Sequence, residues 1–210
     1  MNRAEALQQL KALHRRMDAC TRCPKMIRPV IHGPPVLSRI YTIGQAPGPH
    51  EAKFGYPFAW TAGKTLFRWF ETLGVDEQTF RQKVYMAATA RCFPGKDRGG
   101  GDRKPDPLEI LACRPFIEGE VAILQPKLVV PIGLVGIEQV LGRKTALAEV
   151  IGVPLRADWH QGKVDVICLP HPSGASTWHR MEPGISLLSK ALRLLGANRE
   201  WQRTFAVKSR

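Results

Sequence analysis

The segment KLVVPIG, residues 127–133, restricts the fold more than any other stretch of this chain. It is a short continuous apolar run closed by a glycine, with no polar face. A strand of this kind must be covered on both sides, which is the situation of strands in parallel sheets. Parallel neighbours need long crossovers, and helices usually supply them. Three further runs read as strands: VLSRIYTI at 36–43, Lys83 to Thr89, and VDVICL at 164–169. Helical spacing separates them. Ala4, Leu7, Leu10, Leu13 and Met17 mark an amphipathic helix over 4–18 with a basic outer face. Ala62 to Leu73 carries Phe67 and Phe70 on its apolar side, and Pro107 opens a helix that runs to about Leu124. Leu134–Leu141 and Ile185–Leu195 complete the set. The expected fold is α/β: a single three-layer domain with a central, mostly parallel four-stranded sheet flanked by helices. The domain is expected to span 1–210. Residues 1–23 form an N-terminal helix leading into a pair of cysteines, and about 200–210 form a loose basic tail.

Charge narrows the partner. Lys and Arg number 31 against 18 Asp and Glu, for a formal net charge of +13. Such a field attracts polyanions, nucleic acid above all. A hydrophobic content of 44% excludes a disordered chain. No stretch is long and apolar enough to span a membrane. The N-terminus lacks the unbroken apolar core of a secretory signal. A cytoplasmic, monomeric protein with nucleic acid and no membrane as its partner is expected.

Ligands of parallel α/β sheets bind at the carboxyl ends of the strands. Three strands here end in unusual sequence: GQAPG at 44–48, ATARC at 88–92, and LPHPSG at 169–174. The first continues as GQAPGPHEAKFGYPF, residues 44–58. Glycine and proline at a strand end let backbone approach a ligand closely, with N–H groups free to bond. Between Cys92 and the next helix lies FPGKDRGGGDRKPDP, a basic Gly/Pro loop with no packing pattern.

Five cysteines are present: Cys20, Cys23, Cys92, Cys113 and Cys168. A Cys-x-x-Cys pair in a cytoplasmic chain points to metal or redox chemistry. A redox pair usually follows a strand, whereas Cys20 and Cys23 follow a helix. Two thiolates close in sequence plus two distant ones, Cys92 and Cys113, can supply four ligands. Cys168 lies inside an apolar strand and reads as core. Zinc and an iron–sulfur cluster use the same ligand set, and spacing alone leaves both open.

GQAPG at 44–48, GYPF at 55–58, TAGK at 61–64, the four cysteines in order, CRPFIEGEVAILQPKLVVPIG at 113–133 and HPSGAS at 171–176 together resemble the uracil-DNA glycosylase superfamily, in its iron–sulfur branch (families 4 and 5). The likeness runs from about Cys20 to Leu195. It implies a DNA-repair glycosylase that removes uracil, or a wider range of deaminated bases, from single- or double-stranded DNA and leaves an abasic site. It implies a four-iron–four-sulfur cluster on Cys20, Cys23, Cys92 and Cys113, with zinc the alternative. The resemblance implies a structural cluster that holds the basic loop between Cys92 and Cys113 near DNA.

The resemblance also assigns roles. His171 donates a hydrogen bond to O2 of the leaving base, and Phe58 stacks on that base. Gly44, Ala46, Pro47 and Gly48 bring backbone to the flipped nucleotide. Ser173 contacts the substrate, and Ser176, Arg180 and Lys64 hold DNA. Three positions depart from the family. Family 4 carries Glu where this chain has Gln45, and family 5 carries an Asp where it has Thr61. A recognition Asn corresponds to Ala88. Gln45 can orient a water but cannot take its proton. His50 and Glu51, just downstream, are possible substitutes, although a solvated loop tip is their simpler reading. The missing acid leaves a rival reading, a catalytically weak or covalent binder of damaged DNA. An iron–sulfur accessory module without base chemistry is a third.

Overall fold

The computed structural model describes residues 1–160 and 162–206. Five strands form one sheet: β1 (Ile40–Gly44), β2 (Tyr85–Ala88), β3 (Leu128–Pro131), β4 (Leu155–Trp159) and β5 (Gly162–Val166), in the order β2-β1-β3-β5-β4. Every pairing is parallel except β4 with β5. All residues of β1, β2 and β3 are buried, as their unbroken apolar runs require.

The fifth strand corrects the expected count of four. Strand β4 reads LRADW, and its burial alternates along the edge. Arg156 and Asp158 face water, so no apolar run advertises it. It is an antiparallel edge on an otherwise parallel sheet.

The helices are α1 (Arg3–Asp18), α2 (Glu51–Phe54), α3 (Thr61–Glu71), α4 (Glu77–Lys83), α5 (Pro107–Leu124), α6 (Leu134–Leu141), α7 (Leu147–Val150), α8 (Gly184–Ala197) and α9 (Arg199–Phe205). Local chemistry sets two of the starts that matter most. Asn2 and Glu5 form a capping box on α1. Asp106 and Glu109 do the same on α5, with Pro107 in its first turn.

Helix α9 corrects the loose tail. Trp201 is buried and packs on Phe70 and Phe205, so this basic segment is tied to the core. Residues 207–210, the rest of the expected tail, lie outside the described residues. Among the described residues, no helix is long and apolar enough to cross a membrane.

Candidate active site and cysteine cavity

The carboxyl ends of β1 and β2, with the segment that follows β5, enclose a cavity of about 670 Å³. Strand β1 delivers Gly44, Gln45, Ala46, Pro47 and Gly48 to its wall, and β2 delivers Ala88. Beyond β5 the chain stays in register: Leu169 bridges Ile132, and the next turn brings His171, Ser173 and Ser176 to the same wall. Ten expected site residues therefore share one cavity, with Phe58 among them. Lys64 and Arg180 do not line it. Lys64 stands exposed on α3, and Arg180 stands exposed at the end of a short turn, Trp178–Arg180.

The Phe58 ring packs against Gly44, where an added Cβ would lie 3.3 Å from ring Cζ. Phe58 has φ +53°, a left-handed value that bulky residues rarely adopt. Gly63 makes the bend feasible, since a Cβ there would overlap the Phe58 carbonyl oxygen. His171 is mostly enclosed and sits against Gly133, whose φ is +80° and where a Cβ would come 3.0 Å from the ring.

The tautomer of His171 follows from its neighbour. The Ser173 N–H donates to Nδ1 at 3.2 Å, so the neutral ring carries its proton on Nε2. Burial lowers the His171 pKa, partly opposed by the charge of Asp102, so the neutral form holds at pH 7. The cavity thus contains a neutral imidazole with its Nε2–H left to donate.

Glu51 is not a solvated loop tip. It is buried and lines the cavity. Burial raises its pKa, against hydrogen bonds from its own and the Gly48 N–H groups. Asp102 lies nearby, paired with Lys96 at 2.6 Å. The 93–107 loop is also more ordered than its composition implies. Lys96 bridges Asp102, Asp97 accepts from the N–H groups of Gly99 and Gly101, and Arg103 forks onto Glu109. Polar bonds hold it, which an apolar pattern cannot reveal. Pro94, Lys96, Asp102 and Arg103 reach the cavity wall as a result, which Trp60 also lines. The sequence reading missed these residues.

A second cavity, of about 170 Å³, is lined by Cys20, Cys23, Cys92 and Cys113 together. An antiparallel bridge between Ile27 and Phe93 draws the first pair to the third ligand. Among the described residues, no three Cys, His, Asp or Glu side chains close on a single metal ion. Cys168 is fully buried and lies outside this cavity.

Burial pushes the Cys92 thiol up to about 11, with the other sulfurs adding to it. Four clustered thiolates need a cationic centre. Arg91 supplies a further observation. It lines the cavity and is 1% exposed, and among the described residues its Nε and Nη1 have no hydrogen-bond partner. Buried donors without partners are rare, and a sulfur-rich anionic group in the cavity would satisfy them. The donor set therefore fits an iron–sulfur cluster.

The model of the Uracil DNA glycosylase superfamily matches residues 30–196. The chain belongs to that superfamily. It is 31% identical over 168 residues to the type-4 uracil-DNA glycosylase of Thermotoga maritima, covering 78% of this chain and 81% of the relative. Identity to the type-4 enzyme of Pyrobaculum aerophilum is 27%, covering 74% and 76%. Identity to that of Archaeoglobus fulgidus is 24%, covering 80% and 83%. Gln45, Thr61 and Ala88, where the resemblance expects other residues, all line the large cavity.

Proposed function

We propose that this chain is a DNA-repair uracil-DNA glycosylase, which hydrolyses the N-glycosidic bond of uracil in DNA and leaves an abasic site. The observation that carries the reading is the pairing, in one cavity at the carboxyl end of the sheet, of the Phe58 ring with a neutral His171 whose Nε2–H is unspent.

The chemistry runs as follows. The target nucleotide flips out of the stack, and its base lies on Phe58. The bond between N1 and C1′ breaks, its electron pair leaves with the base, and negative charge builds on O2. The His171 Nε2–H donates to that oxygen. A donor aimed at developing charge lowers such a barrier by roughly 3–4 kcal/mol. A water oriented by the Gln45 amide adds its oxygen to C1′. The water's proton passes to Glu51, whose burial makes it a stronger base than an exposed carboxylate. Lys64, Ser173, Ser176 and Arg180 hold phosphates, which fixes position and carries no sequence information. Cys20, Cys23, Cys92 and Cys113 would hold a four-iron–four-sulfur cluster, and the unpartnered donors of Arg91 would stabilise its charge. When bound, the cluster supplies a covalent tie between the end of α1, the segment after β2, and α5. The protein works in the cytoplasm as a monomer.

The rival reading, a damaged-DNA binder, draws on Gln45, Thr61 and Ala88. One experiment separates them. Purified protein is incubated with oligonucleotides carrying one uracil, and free base is measured by mass spectrometry. Uracil release that Phe58→Ala abolishes supports the enzyme. Tight binding with no release, from any strand context, replaces it with the binder.

A further inference from the structure

Beside the mouth of the large cavity, three large aromatic side chains stand in solvent. Phe54, Tyr56 and Trp60 are 43%, 36% and 41% exposed. They form a connected patch. The Phe54 and Trp60 rings stack with centroids 5.8 Å apart, Phe54 and Tyr56 lie at 6.2 Å, and His50 covers Trp60 at 4.7 Å. Single exposed apolar residues need no explanation, but a contiguous aromatic patch marks an interaction site.

Two observations identify what the patch meets. It is continuous with the active-site cavity, since Trp60 and His50 also line that wall. It is also framed by cations: Lys53 on α2 and Lys64 and Arg68 on α3 are exposed. Rings among cations suit a strand whose bases stack while its phosphates pair. The patch is also held stiffly. The Arg81 guanidinium lies over the Tyr56 ring at 4.5 Å and bonds the Pro57 and Phe58 carbonyls.

Bases in a duplex have both faces covered by their neighbours. An exterior ring can stack only on a base that has no partner above or below it. We propose that Phe54, Tyr56 and Trp60 form a shelf that stacks the unpaired bases flanking the flipped nucleotide, which makes single-stranded DNA the preferred substrate. The proposal rests on the glycosylase reading for its DNA, and it adds the strand context.

The test uses uracil-free DNA, so that it does not depend on excision. Fluorescence anisotropy measures binding of the full chain to a labelled thymidine oligomer of about 12 nucleotides and to a mixed-sequence duplex of similar length. Stacking is worth about 1–3 kcal/mol per base, which is about 5- to 150-fold in affinity. Phe54→Ala and Trp60→Ala should each weaken single-strand binding by about fivefold or more, and duplex binding by less than twofold. Trp60→Phe should keep most of the affinity. The salt dependence should not change, because no phosphate contact is lost. Equal losses on both DNAs, no loss, or a Trp60→Phe variant as weak as Trp60→Ala would overturn the shelf. A wild-type chain that binds neither DNA would overturn the underlying DNA reading.

Discussion

Arg81 holds Phe58 by its backbone. Its Nη2 donates to the Phe58 carbonyl at 2.9 Å, Nη1 donates to Pro57 at 2.9 Å, and the guanidinium lies over Phe67 at 4.6 Å. Its Nε bonds Glu77, which anchors the fork to α4. Phe58 needs this grip. A residue at φ +53° is strained by about 1–3 kcal/mol and stays there only when its surroundings insist. Arg81→Lys keeps the charge but loses the fork. It should raise KM for uracil DNA at least fivefold with little change in melting temperature. Steady-state kinetics beside thermal denaturation check this, and a loss in stability alone would make Arg81 merely structural.

The water step can be tested at two positions. Glu51→Gln removes the proposed proton acceptor and should lower kcat by about 100-fold, within the range for general base catalysis. It should also abolish the acid limb of the wild-type pH profile. That limb should lie above the ordinary carboxylate range, because burial raises the Glu51 pKa. Gln45→Glu, which restores the residue of family 4, should rescue part of the loss in the double variant. A Glu51→Gln enzyme with unchanged kcat and pH profile would remove Glu51 from the mechanism.

Stability should depend on pH through His14. It is buried, bonds the Tyr85 hydroxyl at 2.8 Å, and has its pKa lowered to about 3 by burial and then by the charges of His32 and Arg91. The unfolded chain binds a proton near pH 6.5 that the folded chain does not. His14 therefore contributes full stability above pH 6.5 and loses it as pH falls toward 3. The slope approaches about 1.4 kcal/mol per pH unit. Denaturant titrations between pH 7 and 5 should show this decline, and His14→Gln should flatten it.

The Arg91–Glu120 pair stands beside the cysteine cavity, which Arg91 lines. Both side chains are buried, with Nη2 at 2.7 and 2.5 Å from the carboxylate oxygens. Tyr41 and Tyr85 donate to the same carboxylate. Glu120→Gln deprives the buried guanidinium of its carboxylate partner, and should destabilise the fold by about 3–5 kcal/mol. Calorimetry measures it. A double variant that replaces both charges with apolar residues should recover much of the loss, because burying the pair was itself costly.

The sequence made some of this legible and hid the rest for physical reasons. Strands β1, β2 and β3 showed because burial on both faces forces mostly apolar runs, and β5 showed through the apolar residues around Asp165 although its start is exposed. Edge strand β4 did not, since half of it is wet. Helix α9 looked like a tail because only two residues, Trp201 and Phe205, anchor a segment that is otherwise polar or basic. The loops GQAPG and HPSGAS pointed to the cavity through their places at strand ends. Glu51, which is buried, and Asp102, which is exposed yet lines the cavity, were obscured because their places depend on loops folded by polar bonds, which leave no periodicity. The aromatic shelf lay within GYPF and its neighbours, but nothing in the order of residues says which rings face outward.

The central claim is that His171 and Phe58 work together on a uracil glycosidic bond. Its most direct measurement is alkaline strand scission of a labelled single-strand oligonucleotide carrying one uracil, under single-turnover conditions, for wild type and His171→Ala. The account predicts scission at the uracil position in wild type, and a rate at least about 100-fold lower in His171→Ala, the effect of losing one oxyanion donor. An intact strand after wild-type treatment, or equal rates for the two proteins, would contradict it.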